Sequence, residues 1–571
     1  MKKGFKRSFD RLLSEGKGKQ LLWLLIVSAG VVFLALVVAR FLFKSLPWKQ
    51  VVAVFLDPGC FGNENYEAEG LLLPLAIFSL VILSGLLVST FTNVVENISD
   101  SVRSGHRRYK LNGHVLIIGA GKQLEPMLAA LYEDKRDIVV MSEQSPEAEG
   151  GYIYYCGRRD SVDDLRSARP ECASVIYIIG EDNEPDHDAK SLRAVEILKR
   201  LTLHADNEIQ CYMTLQDRVS SEVYEYVKQP VEGKLLLVDV INAYEYMAER
   251  LMVDSEFLPT IKLGDRRRSH IVIFGTNQIA QNVANTAAHI SHYANYVEIG
   301  VKTCITFIGL GMKRYMDDII ASRPALFELS VWRYVDGTGK VVEHRPEKDF
   351  LDVEWEFVDT YDTSALARDM LREISLSPDE ILTVVVAEKN PHKATSIALH
   401  MPREVYNSNI AVYMEESAEV IELSKKTGMF GDITIFGAAS VALSDPLFKT
   451  RSVRGQRVNF VYDQAYSKDK SATVEEAWYK LPEAHKYSSI YCAMSMPMRR
   501  RCYDMDGDRL PVYEAEHRRW MMSVLIMGYE AGESRDRDRF VHNDIRPFDE
   551  LSPEEQEKDK ILIDALPEIL R

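Results

Sequence analysis

The sequence predicts a membrane-embedded α-helical module, followed by α/β domains and a small, mainly α-helical domain at the C-terminal end. Three observations support this fold class. Residues 21–39 and 71–92 are long stretches without a charged side chain. After residue 113, short β-branched runs alternate with helical segments, which is typical of a parallel α/β sheet. After residue 457 this alternation stops, and tyrosines and charged residues become more frequent.

The first predicted domain, residues 1–112, contains two predicted transmembrane helices. The two spans, at about 21–42 and 71–92, are each long enough to cross a hydrocarbon core of roughly 30 Å. Lysines and arginines flank the outer ends of both spans, whereas the connecting loop is acidic. Because positive residues stay on the cytoplasmic side, we expect a multi-pass protein in the lipid bilayer with both termini in the cytoplasm.

The connecting loop, residues 44–70, has the layout of a pore loop. An apolar segment about half as long as a span, residues 50–56, precedes a turn that contains glycines. In cation pores, backbone carbonyls face the ion and a ring of carboxylates attracts cations. The alternative is an ordinary extracellular turn between two anchoring spans. The candidate pore residues are Asp57, Pro58, Gly59, Cys60, Phe61, Gly62 and Asn63.

The second predicted domain, residues 113–262, has the pattern of a Rossmann-like unit. A buried strand at 114–118 is followed by Gly119 and Gly121, which make the turn into a helix. Glu143 closes the second strand, at the position that meets ribose hydroxyls in dinucleotide folds. Leu124 stands where the third glycine of that fingerprint belongs, so a bound nucleotide and a purely structural turn both stay open.

The third predicted domain, residues 265–460, repeats this architecture. A strand at 269–274 leads into a turn in which Gly275 is the only glycine. Since the other glycines are missing, we expect this second Rossmann-like unit to bind nucleotides more weakly than the first.

Two spans followed by two such units resemble channels with regulator-of-potassium-conductance (RCK, TrkA-N-like) domains, and most of all the Castor/Pollux-type channels. The resemblance covers about residues 20–445 and rests on three segments. They are the acidic turn 57–59, the amphipathic stretch 94–103 that leads into the first strand, and the segment 238–241 with the helix after it. It implies a homotetramer that conducts inorganic cations, with eight cytoplasmic units in a ring whose dilation pulls the inner helices.

The fourth predicted domain, residues 472–571, resembles the ryanodine-receptor repeat (RyR) domain in three blocks. Residues 516–520 carry His and Trp three positions apart on a predicted helix. Residues 527–532 follow with a Gly-aromatic-x-x-Gly turn, in which Tyr529 replaces the usual Trp. Residues 546–551 complete the match with a Pro-aromatic-Asp-x-Leu segment.

The aromatic residues of this domain offer faces on which a base can stack, and its arginines suit phosphates. Because prokaryotic domains of this type often occur in nucleotide signalling, the resemblance implies a small nucleotide ligand, such as a cyclic nucleotide or an ADP-ribose-type molecule. The alternative is that the aromatics and His517 form a structural core, with the arginines in a solvated loop. The candidate pocket residues are Trp478, His517, Arg518, Trp520, Tyr529, Arg535 and Phe548.

The charge distribution and the motifs that are missing exclude several functions. The formal net charge of −16 divides into +6 over residues 1–112 and −22 over the rest, which argues against a nucleic-acid partner. The seven cysteines contain no CxxC pair, so no zinc ribbon or disulfide framework is indicated. We find no compact catalytic triad or metal-binding motif, so we predict no catalytic residue, no metal ligand and no enzyme activity. An oxidoreductase built on the Gly119 turn is the corresponding alternative.

Together these features predict a ligand-gated cation channel of the bacterial inner membrane. Its gating ligand would be a cytoplasmic nucleotide or a nucleotide-derived messenger, in an anti-phage or stress context. The first alternative is a non-conducting, membrane-anchored nucleotide sensor. The second is a housekeeping potassium channel or transport regulator.

Overall fold

The computed structural model describes most of the chain, which divides into two compact units. The first unit comprises residues 1–109 with 154–156, and the second comprises 110–153 with 157–571. The described residues are 17–42, 48–58, 69–81, 88–131, 135–148, 151–182, 184–217, 220–221, 224, 236–254, 256–345, 351–415, 419–437, 449–481, 483–503 and 507–571.

The first unit is mainly helical. Its helices are α1 (Lys17–Leu42), α2 (Trp48–Leu56), α3 (Glu69–Ser79) and α4 (Val88–Arg103). A small aliphatic core joins the first three, with Ala35 on α1, Val51 and Val54 on α2, and Leu72 and Leu75 on α3. Among the residues that the structure describes, no helix combines the length and the apolar character that crossing a membrane requires.

The predicted pore segment begins directly after a short helix. Helix α2 occupies the half-length apolar segment, and the Asp57 amide donates to the Ala53 carbonyl 2.8 Å away, which prolongs the last turn. Pro58 follows, and the next five candidate pore residues lie outside the described residues. They are Gly59, Cys60, Phe61, Gly62 and Asn63. Residues 82–87 of the second predicted span also lie outside them.

The first sheet confirms the predicted parallel α/β architecture. Its strand order is β3-β2-β1-β4-β5-β6, which is that of a dinucleotide-binding fold. Strands β1 and β2 are buried along their whole length, as expected of central strands that helices cover on both faces. The strands are β1 (His114–Ile118), β2 (Ile138–Ser142), β3 (Ile153–Cys156), β4 (Ala173–Ile178), β5 (Ile209–Leu215) and β6 (Leu236–Asn242), and the helices are α5 (Leu124–Ala130), α6 (Val162–Ser167), α7 (His187–Leu201) and α8 (Ala243–Glu249).

The second sheet repeats this order and adds a hairpin at one edge. Its elements are β7 (Arg268–Phe274), α9 (Gln278–Ile290), α10 (Asn295–Ile299), β8 (Thr303–Gly309), α11 (Met312–Ser322), α12 (Pro324–Leu329), β9 (Val331–Val335), β10 (Val341–Arg345), β11 (Val353–Asp359), α13 (Ala365–Leu376), β12 (Glu380–Val386), α14 (Pro391–Leu399), β13 (Asn409–Tyr413), α15 (Glu419–Lys425) and β14 (Ile433–Phe436). Six strands follow the order β11-β8-β7-β12-β13-β14, and β9 with the antiparallel β10 extends the β11 edge. The sequence did not predict β9, β10 or β14.

The C-terminal part is a helical domain that packs on the second sheet's helices. Its elements are α16 (Lys449–Tyr466), α17 (Val474–Lys480), α18 (Glu483–Cys502), α19 (Leu510–Ile526), β15 (Glu530–Ala531), β16 (Val541–His542), α20 (Pro553–Asp564) and α21 (Leu566–Ile569). Ser552 caps α20, because its hydroxyl accepts from the Glu555 amide, and Pro553 occupies the first turn. Helix α16 continues past residue 460, where the third predicted domain ends, to Tyr466.

Candidate functional site

The glycine turn of the first sheet is shaped by contact between two loops. Gly119 has a φ of +109°, and a Cβ added to it would lie 2.2 Å from the Gly180 carbonyl oxygen. A Cβ at Gly121 would lie 2.9 Å from a carboxylate oxygen of Asp182. Gly119 is therefore required by the packing of the chain itself, whereas the contact at Gly121 is with an exposed side chain that can move. Glu143 lies exposed after β2.

The backbone amides of this turn have internal acceptors. The Ala120 amide donates to Glu181 Oε2 at 3.2 Å, and the Lys122 amide donates to Asp182 Oδ2 at 2.9 Å. Burial raises the pKa of Glu181 above its usual value, although the Ala120 amide opposes the shift. In this conformation the carboxylates occupy the place that a nucleotide phosphate takes in a dinucleotide fold.

The glycine turn of the second sheet is also packed against another loop, and amides that follow it already have an acceptor. Gly275 has a φ of +134°, and an added Cβ would lie 2.6 Å from the Ala387 carbonyl oxygen. Asn277 Oδ1 accepts from the Ile279 and Ala280 amides at 2.9 and 3.2 Å, which caps the N terminus of α9. In both turns, several backbone amides thus already donate to acceptors of the same chain.

A cavity of about 440 Å³ lies inside the C-terminal domain. Its walls come from α16, α18, α19 and α20 and from the segment 535–544. The cavity lies within the size range of ligand pockets in proteins, and its lining mixes aromatic, basic and acidic side chains. Three of the predicted pocket residues line it, namely His517, Trp520 and Arg535.

Trp520 and two histidines form the aromatic part of the wall. Trp520 is half-buried, and its ring stacks with that of His517 at a centroid distance of 5.5 Å. The His542 ring meets it edge to face at 4.9 Å. Trp520 thus combines a fixed orientation with partial exposure, which suits stacking against a base.

His517 has a structural role in this wall. Its Nδ1 lies 3.2 Å from Asp559 Oδ2, and its Nε2 lies 2.8 Å from the Arg546 carbonyl oxygen. Because both ring nitrogens already have partners, His517 positions Trp520 and joins α19 to α20.

Two arginines give the rim of the cavity its positive charge. Arg535 and Arg537 are exposed, and within the described residues neither forms an ion pair. Burial and the charges of both arginines lower the pKa of His485 to about 4. Burial, followed by the charge of Arg535, lowers the pKa of His542 to about 4 as well. Both histidines are therefore neutral at physiological pH, and the arginines remain available to an anion.

Several other charged groups in the lining are held by partners. Arg519 donates to Glu516 Oε1 at 2.8 Å, and Arg499 donates to the same carboxylate. Lys558 is paired with Glu555. These pairs fix the cavity wall, so a ligand meets Arg535 and Arg537 as its principal unpaired cations.

Asn459 on α16 is a lining residue that the sequence analysis missed. It is only 6% exposed, it belongs to the cavity lining, and its Nδ2 is buried without a hydrogen-bond partner. The predicted boundary at residue 460 separated it from the C-terminal domain. The signal for Asn459 is its helical spacing with other residues of the same helix face. That face lines the cavity through Val458, Asn459, Tyr462 and Asp463.

Comparison with known proteins gives similarity in structure only. No protein-family model matches the sequence. No curated protein matches it either. The solved GsuK channel is similar, with 14% identity and a TM-score of 0.43 over 76% of this chain and 99% of that chain. The GsuK channel bound to NAD has 12% identity and a TM-score of 0.43 over 76% and 83% of the two chains. The human SLO3 gating ring has 10% identity and a TM-score of 0.38 over 59% and 82%.

Four of the predicted pocket residues lie outside the cavity lining. Trp478 is buried beneath the Lys486 ammonium group, which lies 5.4 Å from its ring centroid. Phe548 is buried against His517, and Tyr529 packs edge to face on Phe540 at 5.3 Å. These three aromatic residues contribute to the domain core, which was the structural alternative.

Arg518 instead connects the C-terminal domain to the second sheet. Its Nε lies 3.3 Å from the buried Asp352 carboxylate, and its guanidinium lies 4.8 Å from the Tyr296 ring centroid. His292 Nδ1 lies 2.8 Å from the same Asp352. Burial favours the neutral acid, but the charges of His292 and Arg518 lower the pKa of Asp352 below its usual value. Arg518 is therefore a contact between domains. The described residues contain no group of histidine, cysteine or acidic side chains arranged to hold a metal ion.

Proposed function

We propose that this chain is a subunit of a homotetrameric cation channel of the bacterial inner membrane, gated by a nucleotide-type ligand in the C-terminal cavity. The cavity carries this proposal, because it joins the aromatic face of Trp520 to the unpaired Arg535 and Arg537. The two glycine turns are weaker candidates for the nucleotide site. In the first turn, two carboxylates of the same chain accept from backbone amides, and in the second, the Asn277 side chain does so.

The arrangement of the first unit supports a pore. A long helix, α1, is followed by the short α2, and an acidic residue, Asp57, comes directly after it. A tetramer would place four such carboxylates around one axis, where they attract cations. The proposal includes two membrane spans, their contact with lipid and the conduction of a cation.

Gating requires that the ligand bind one state of the channel better than the other, because equal affinity shifts no equilibrium. A tenfold preference at each of four sites supplies about 5.5 kcal/mol, which moves a ratio of 1:99 to about 99:1. If the ligand opens the pore, the membrane potential collapses, which is the effect expected of an anti-phage or stress effector.

Ion flux from liposomes that contain the purified full chain tests this function. We expect flux to respond to a cytosolic nucleotide extract, and the response to fall at least tenfold in the double variant Arg535→Ala and Arg537→Ala. The matched control is Arg539→Ala, another exposed arginine of the same segment that does not line the cavity.

Two results would contradict the proposal. An intact tetramer without any ion movement would favour a membrane-anchored sensor. An ion flux that does not change with any nucleotide would favour a housekeeping channel or transport regulator. We expect no turnover of the ligand, and consumption of NADH by the purified chain would instead indicate an oxidoreductase.

A further inference from the structure

Asn459 is a buried residue of the cavity wall with an unsatisfied hydrogen-bond donor. Its side chain is more than nine-tenths buried, and its Nδ2 donates to no protein atom. An unsatisfied buried donor costs about 1–3 kcal/mol. Nδ2 is itself inaccessible to solvent, so the carboxamide must turn towards the cavity before an acceptor on a ligand can recover this free energy. Arg535 and Arg537 lie at the exposed rim, so the amide occupies the deep part of the cavity and the cations its outer part.

The chemistry of a buried carboxamide limits what it can recognise. Nδ2 donates and Oδ1 accepts, side by side in one plane. Adenine presents the matching pair at one edge, with N7 as the acceptor and the N6 amino group as the donor. Guanine and hypoxanthine present two acceptors at that edge, N7 and O6, so Oδ1 would face another oxygen.

We propose that the cavity takes an adenine nucleotide and that Asn459 selects its base through the N7 and N6 edge, while Arg535 and Arg537 bind the phosphates. Trp520, half-buried in the same cavity, offers the stacking surface for the base. This inference rests on the proposed function, because it names the ligand class of the same site. Two cations at the rim match a ligand with more than one phosphate charge.

Binding of ADP to the full-length chain in detergent, measured by calorimetry, tests the inference. The comparison ligands are inosine diphosphate, in which an oxygen replaces the amino group, and 7-deaza-ADP, in which N7 is lost. We expect each of them to bind the wild-type chain about tenfold or more weakly than ADP. Asn459→Ala should reduce this preference to about twofold or less. Asn459→Asp, which keeps the size and the acceptor of the side chain but removes the donor, should abolish the discrimination against 7-deaza-ADP and keep the preference for ADP over inosine diphosphate.

The controls separate base selection from folding and from phosphate binding. Asn285→Ala is matched, because Asn285 Nδ2 also lacks a partner but the residue does not line the cavity, so the preference for ADP should stay intact. The Arg535→Ala and Arg537→Ala double variant should weaken ADP and inosine diphosphate by the same factor. Unchanged melting temperatures of the variants establish that they fold.

The outcomes separate this inference from the proposed function. If wild-type chain binds ADP and inosine diphosphate equally, or if Asn459→Ala keeps the preference, the inference is wrong even where nucleotides still control ion flux. If the preference depends on Asn459 but flux ignores ADP, the inference stands and the proposed channel gating is wrong. If neither diphosphate binds, the inference is wrong.

Discussion

Gly119 shows how a single missing side chain permits the turn of the first sheet. Its positive φ and its close approach to Gly180 both exclude a Cβ. We expect Gly119→Ala to lower the stability of the second unit by more than the 1–3 kcal/mol that backbone strain alone costs. Thermal unfolding followed by circular dichroism measures this loss.

Gly113 provides the matched control for that variant. Its φ of +70° is also positive, but an added Cβ would meet no atom within 4 Å. Gly113→Ala therefore isolates the conformational cost from the steric clash. Equal losses in the two variants would show that the contact with Gly180 relaxes without cost.

Glu516 is the charged residue whose burial is most complete in the cavity wall. Burial opposes its ionisation, but the guanidinium groups of Arg499 and Arg519 lower its pKa to about 2. We expect Glu516→Gln to destabilise the C-terminal domain by about 3–5 kcal/mol, because two buried cations lose their counter-charge. Melting temperatures of the variant and the wild type measure the effect.

The pH dependence of that interaction has a defined sign. Because the folded pKa lies below the ordinary value of 4.5, the stabilisation is fully present above about pH 4.5 and is lost as the pH falls towards 2. The melting temperature of Glu516→Gln should fall less steeply than that of wild type in this window. Glu554→Gln, which changes an exposed acid of α20, should follow the wild-type curve.

At the scale of elements, α19 is a wall shared by the cavity and the second sheet's helices. Glu516 and Trp520 face the cavity, whereas Arg518 reaches Asp352 and Ser523 Oγ lies 3.1 Å from His289 Nδ1. A helix moves largely as one body, so a shift of α19 on ligand binding would reach α9 and the loop before β11.

We expect Asp352→Asn to weaken this connection. Arg518 would lose its buried counter-charge, and breaking a buried pair costs about 3–5 kcal/mol. Scanning calorimetry should then show the C-terminal domain melting before the second sheet. Asp564→Asn, which removes a half-exposed partner of Arg509 within the C-terminal domain, should leave the order of melting unchanged. A single unchanged transition for Asp352→Asn would contradict this role.

The sequence predicted the central strands because they consist of uninterrupted β-branched and aliphatic runs. β9 and β10 were not predicted, because their residues are mostly exposed or half-buried. Charged and apolar side chains therefore follow one another in these strands without the alternation that indicates a β-strand. The fold of both sheets could therefore be predicted, while the edge hairpin could not.

The cavity could be predicted only in part. His517, Trp520 and Arg535 stand out by residue type, and the cavity does bring them together. Sequence pattern does not show which side of a helix faces another domain, so Arg518 was assigned to the ligand. Asn459 was missed because its helix spans a predicted domain boundary.

At the scale of the whole molecule, the proposed tetramer repeats each acidic residue of the chain four times. Replacing Asp57 removes one charge from each subunit and so four from the proposed pore. We expect Asp57→Asn to lower cation conductance several-fold and to shift the reversal potential in planar bilayers, because a carboxylate ring concentrates cations. Glu96→Gln, an exposed acid of α4, is the control. An unchanged reversal potential and conductance would place Asp57 in an ordinary turn.

The carboxylates of Glu181 and Asp182 compete with any phosphate for the backbone amides of the first sheet's glycine turn. A group tethered to the same chain acts at an effective concentration of about millimolar or more. A free phosphate must displace these carboxylates before it can accept from the amides, which lowers its apparent affinity for the turn. A larger ligand with additional contacts would displace the two acids more readily.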